Sequence, residues 1–179
     1  MVAFPFRMGA GFAGDVNRTH PCDIVPHLND PTNPVLGYGL ACVYTTSGNT
    51  VRTMESGDTG LSHIDGIVVR PFPQQESTAP QPYGGSGTVG TPFGDPGTPP
   101  SGQPVDVLKS GLIIVPVVGS PVLGGPVFVW VAASGAGHTQ GGFETGSTGG
   151  STIALSTDGR IYFNGPPDAN GLTELAFNL

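Results

Sequence analysis

The sequence predicts an all-β fold: a single compact β-barrel or sandwich domain with an extended N-terminal arm and one long Pro/Gly-rich loop. Three observations carry that expectation. The 30 Gly and 19 Pro residues follow no G-X-Y period, and both oppose helix interiors, Gly through lost backbone entropy and Pro through its missing N–H. β-branched and aromatic residues gather in short runs, several with period-two alternation. Turn residues punctuate those runs at short intervals, as in barrels and sandwiches.

Residues 1–34 form the expected arm. Phe4, Phe6 and Phe12 are separated by Pro5 and small residues and follow neither a helical nor a strand period over any length. Such a segment cannot bury itself alone. It is either a strand tied down across its own domain or an arm whose aromatic side chains fill grooves on a neighbour. The β domain is expected over 35–179. There, Leu36, Tyr38, Leu40, Cys42 and Tyr44 alternate with Gly37, Gly39, Ala41 and Val43, which predicts a strand with one large and one small face. Ser47-Gly48-Asn49 supplies a turn and Thr50 to Met54 the return strand of a hairpin. Ile64 to Arg70 is a third strand, with Gly66 placed for a bulge.

Residues 71–104 are too rich in Pro, Gly, Ser and Thr to sustain a ladder or a helix and are expected to be a loop. Loops of that length are usually functional or disordered. Phe72, Tyr83 and Phe93 give this one contact-making side chains. A second β-rich block begins at Val105, with Val107, Ile113, Val115 and Val117 in a run bounded by Gly119 and Pro121. Val127, Val129 and Val131 alternate with Phe128 and Trp130, which predicts a central strand covered on both faces, with Trp130 in the core. Gly142-Phe143-Glu144, Thr152 to Leu155, Arg160 to Phe163 and Leu172 to Phe177 complete the strands, with turns at 156–159 and 167–171.

Charge and chemistry exclude several functions. Six basic residues, Arg7, Arg18, Arg52, Arg70, Lys109 and Arg160, are scattered against 13 acidic ones, giving a net charge of −7 and no basic stripe for nucleic acid. Charged residues are 11% of the chain, far below the roughly 25% usual for soluble domains. No signal-peptide pattern opens the sequence, and the apolar run Leu112 to Val118 is too short to cross a bilayer, so a cytoplasmic origin without a membrane partner is expected. His20, His27, His63 and His138 lack zinc-ligand spacing, and two cysteines allow at most one bridge; Cys22 and Cys42 read as free thiols, Cys42 in the core. Asp168-Ala169-Asn170-Gly171 opens like a calcium loop but lacks Gly at the sixth position and has Leu179 at the twelfth, so it reads as a turn. No catalytic, cofactor-binding or metal-ligating residue is predicted, and no enzyme activity.

Three pieces carry a resemblance to a known family. Phe12-Ala13-Gly14-Asp15-Val16-Asn17-Arg18, the pattern around Gly142-Phe143-Glu144, and Phe163-Asn164-Gly165-Pro166-Pro167-Asp168-Ala169-Asn170-Gly171 running into Leu175-Ala176-Phe177-Asn178-Leu179 resemble the structural cement, or capsid decoration, proteins of tailed bacteriophages. The central Pro/Gly-rich segment is unmatched. The resemblance implies a protein made in the host cytoplasm and carried on the outer capsid surface of the virion. There it would bind the expanded phage head and clamp neighbouring major capsid protein subunits, stabilising the shell. It also implies self-association as a dimer or trimer on the lattice, and it makes Phe4, Phe6, Phe12, Asp15 and Arg18 candidate contacts to the shell or a sister subunit. Two other readings stand beside it: another virion component (tail, fibre or head-completion protein), or a carbohydrate-binding β domain using Trp130 and Tyr83 as stacking rings.

Overall fold

The computed structural model describes residues 11–17, 19–45, 49–58, 63–71, 98–155 and 159–179. Its regular structure is almost wholly strand: β1 (Asp23–Asn29), β2 (Ala41–Tyr44), β3 (Thr50–Thr53), β4 (Ile64–Val69), β5 (Pro104–Val118), β6 (Phe128–Trp130), β7 (Phe143–Glu144), β8 (Thr152–Ala154), β9 (Tyr162–Phe163) and β10 (Leu172–Asn178), with a 3-10 turn at Gly149–Ser151. No described helix is long and apolar enough to cross a membrane.

Five strands close into a barrel in the order β1-β3-β2-β4-β5 and back to β1. The closing seam is the parallel pair β1–β3, with Leu28 opposite Thr50 and Asn29 opposite Val51. On its other side β1 runs antiparallel to β5, His27 facing Val105 and Val25 facing Val107. Residues directly opposite share a sheet face, so the registers identify the inside of the barrel. Cys42 of β2, Val51 of β3, Val68 of β4, and Val105 and Val107 of β5 form one buried cluster on that face, joined by Val35, Tyr38 and Leu40.

β5 extends past the barrel. Its 15 residues would span about 50 Å if fully extended. At Gly111 the backbone has φ +143°, and a Cβ there would lie 3.0 Å from that of Cys22, so glycine serves both the turn of the strand and its close packing. Beyond Gly111, β5 pairs with β10, Leu175 opposite Ile113, and β10 in turn pairs with β9. The end of β5 pairs in parallel with β7, which leads to β6 and β8. A second, larger core fills the space between this layer and the barrel's outer face, with Ala41, Val43, Ile67 and Leu108 meeting Ile113, Val129, Phe143, Phe163 and Phe177.

The β fold begins ahead of the expected boundary at Val35, because β1 is hydrogen-bonded into the barrel. The strand expected from Val35 is confined to β2. Residues 35–40 bend instead, with Gly39 at φ +73°, where a Cβ would meet Gly14 N at 2.9 Å and Ile114 O at 3.0 Å. A register shift in the β2–β4 pairing beside Gly66 confirms the bulge. β6 is central in its small sheet, yet Phe128 and Trp130 are only half-buried. Trp130 is therefore not a core residue: one face of β6 packs Val129 inward, and the other meets a surface turn. Within the expected loop, 72–97 lies outside the described residues, while Asn29 anchors its return. The fully buried amide of Asn29 donates to Pro99 O (3.2 Å) and Pro100 O (3.3 Å), and its oxygen accepts from Val35 N (3.0 Å).

Candidate functional site

From Gly11 to Asn17 the chain is laid onto its own domain. Gly14 N donates to Ile114 O (2.8 Å), Ile114 N to Asp15 O (2.9 Å), Asn17 N to Leu112 O (2.9 Å) and Arg70 N to Gly14 O (2.9 Å). Gly14, at φ +87°, is pressed so close to Arg70 N and Tyr38 Cβ that an added Cβ would lie 2.8 Å from each. Backbone bonds of this kind need no apolar period, so the sequence pattern did not distinguish them from a free arm. At the start of the docked segment Phe12 remains 40% exposed, with the Arg70 guanidinium 4.5 Å above its ring. Asp15 shapes the turn beneath: its carboxylate accepts from Phe12 N (3.0 Å), and Asp15 N donates to Phe12 O (3.0 Å). Asp15 thus supports Phe12. Phe4, Phe6 and Arg18 lie outside the described residues.

The segments that carry the family resemblance meet in space. Glu174 of β10 accepts from Asn17 Nδ2 through one carboxylate oxygen (3.0 Å) and from Asn164 Nδ2 through the other. Asp168 caps the following turn through Asn170 N and Leu172 N, both 2.9 Å, with Gly171 at φ +74°. The calcium-like residues are therefore a hydrogen-bonded turn. Charge-assisted bonds of this type tie the docked segment at Asn17 and the residue after β9, Asn164, to one strand.

A second exposed feature is apolar. Val122 (62%) and Leu123 (70%) project from the turn after β5, beside the end of that strand at Val118, and Gly124 N donates to Phe163 O (2.9 Å) to hold the turn over β9. The signal was present in Pro121-Val122-Leu123-Gly124-Gly125-Pro126, where two large aliphatic residues sit among turn residues, but the run reads simply as a turn.

Two clusters of titratable groups include a histidine held by a carboxylate. Inside the barrel, Asp65 binds the Lys109 ammonium through Oδ1 and lies 3.3 Å from His27 Nε2, with Tyr44 Oη 3.2 Å from the His27 ring. Cys42 is buried nearby; burial pushes its thiol pKa far up, so it is an inert neutral group, whereas Cys22 is exposed and free. On the surface, Trp130 stacks on His138, ring centroids 4.1 Å apart, and buried Glu144 holds His138 Nδ1. His138 thus covers one face of the Trp130 ring. Among the described residues no group of three or more His, Cys, Asp or Glu could hold a metal ion. What the described surface offers is contact: an aromatic–guanidinium pair, an aliphatic prominence and rigid backbone.

Comparison with known proteins bears on this reading. A family model described as XM1 gp53 minor capsid protein matches residues 1–177. Among solved structures, a chain of "The capsid of Myoviridae Phage XM1" is similar to this one, with a TM-score of 0.64 and 18% identity over 96% of this chain and 92% of that one. At that identity the likeness speaks for the fold. No curated protein matches.

Proposed function

Because the chain belongs to the XM1 gp53 minor capsid protein family, we propose that it is a decoration or cement protein, which binds the outer surface of the expanded phage head and clamps neighbouring major capsid subunits. A structural role in a bacteriophage capsid is what family membership states; the outward position and the clamping are our reading. A structural family also fits a protein without enzyme activity.

The observation that carries the reading is the docked segment 11–17. It holds Phe12 half exposed at the start of the described chain, next in sequence to residues 1–10 with Phe4 and Phe6. An arm rooted in a rigid β domain can bridge two subunits. Once one contact has formed, the second is made at high effective concentration, so modest contacts become persistent on a lattice. A protein that binds the expanded shell but not its dissociated subunits stabilises the shell by mass action. Self-association as a dimer or trimer would multiply the contacts again.

Co-sedimentation with expanded, undecorated shells tests this. The intact chain is expected to pellet with the shells saturably, and a chain lacking residues 1–10 to bind at least tenfold more weakly while melting like the intact domain. Equal binding by the two would remove the arm from the proposal. No binding by the intact chain would end it.

A further inference from the structure

The barrel encloses a cluster of titratable groups that the proposed contact role does not use. His27 of β1, Asp65 of β4 and Lys109 of β5 meet with Tyr44 and Cys42 of β2, so four of the five barrel strands converge there. The His27 and Asp65 side chains are 4% and 3% exposed. β3 adds no charge on this side: Arg52 alternates with the inward Val51 and is held by Asp58 (2.8 and 2.9 Å). On β5, Asp106 likewise alternates with the inward Val105 and Val107 and is exposed.

We propose that His27 is a proton-operated latch on the barrel: neutral, it lets β1 close the barrel, and protonated, it loosens β1 along its short parallel seam with β3. The charge count gives the reason. Asp65 is already neutralised by Lys109, which donates to both its carboxylate and its backbone carbonyl. A proton on His27 would place two cations against one carboxylate; His27 and Asp65 are closed to water, where excess charge is poorly solvated, while Lys109 and Tyr44 reach solvent. In agreement, burial is the main cause that lowers the His27 pKa below 6.5; Asp65 opposes it and Lys109 adds to it. Since the unfolded chain takes up this proton more readily, stability is retained above about pH 6.5, declines as pH falls from there towards the lower folded value, and levels off below it. The loosened element is β1 because its link to β3 is only two residue pairs long.

NMR titration of His27, assigned by comparison with His27→Gln, tests the latch. In the intact protein the ring should titrate below 6.5, and protection of the β1 amides should fall over the same range. In Lys109→Gln, Asp65 is left for His27 alone, and the ring should titrate higher than in the intact protein. A His27 that titrates at or above 6.5 in the intact protein, or is not shifted upward by Lys109→Gln, overturns the proposal. So does a titration that leaves β1 protection unchanged. If His27→Gln does not fold, assignment through bonds in the intact protein still decides the first two outcomes.

Discussion

Replacing Gly66 by alanine tests the packing of the barrel at its tightest described point. Built on the present backbone, the new Cβ would lie 2.4 Å from Leu108 O and 2.4 Å from Val107 Cγ1, both on β5. The φ of Gly66 is not left-handed, so the whole penalty is one of space. Val107 is itself buried and cannot swing away, and Leu108 O is backbone, so β4 and β5 must separate. Overpacking of this kind costs about 1–3 kcal/mol. At roughly 2–4 °C per kcal/mol for a domain of this size, Tm should fall by about 2–12 °C. Gly57, where a Cβ meets nothing within 4 Å, is the control, and Gly57→Ala should change stability by less than about 0.5 kcal/mol. Calorimetric melts of the three proteins under one buffer provide the comparison. A Gly66→Ala protein that melts with the parent would refute the close apposition of β4 and β5.

Other outcomes follow from the same reasoning. Asp58→Ala removes a two-point bond to half-buried Arg52 and an acceptor for Glu55 N (2.7 Å); with allowance for partial exposure, urea unfolding should show a loss of about 1–3 kcal/mol. Asn29→Ala strands Val35 N and the carbonyls of Pro99 and Pro100, and should cost about 1–3 kcal/mol for each group left buried without a partner, read from the same urea curves. With an aromatic disulfide reagent near pH 8, the native protein should react at Cys22 only and the unfolded chain at both cysteines, because burial keeps Cys42 protonated.

The strands with inward apolar residues were legible. β5 and β10 follow their Val, Ile, Leu and Phe positions closely, and the bulge at Gly66 and the turn at Asp168 follow local chemistry. β1 was not, because its pattern is inverted: His27 and Asn29 face the barrel interior while Leu28 is exposed. Burial-based reading assumes that polar side chains point outward, and here a buried ion cluster and a loop anchor draw them in. Pro26 opposes a strand ladder as well, since it has no N–H to donate. It is tolerated because the β1–β3 pairing spans only Leu28 and Asn29, leaving no ladder partner on one side of Pro26. The alternation from Leu36 to Leu40 misled in the other direction, since period two describes any extended chain, including one without a ladder neighbour. In the site, the mutual hydrogen bonding of Phe12 and Asp15 beside Gly14 shows only in the structure, though the three stand in one sequence motif. The meeting of Asn17 and Asn164 on Glu174 depends on the packing of strands distant in sequence, and the Val122-Leu123 prominence reads as an ordinary turn until its exposure is seen.

Image reconstruction of the assembled particle bears most directly on whether this chain works by gripping a shell. Density for the β domain is expected to repeat over the outer faces of the head, with the Phe12 end against the capsid and density continuing from it across a boundary between major capsid subunits. Density confined to a single vertex or to the tail, or a domain whose Phe12 end points away from the shell, would contradict it.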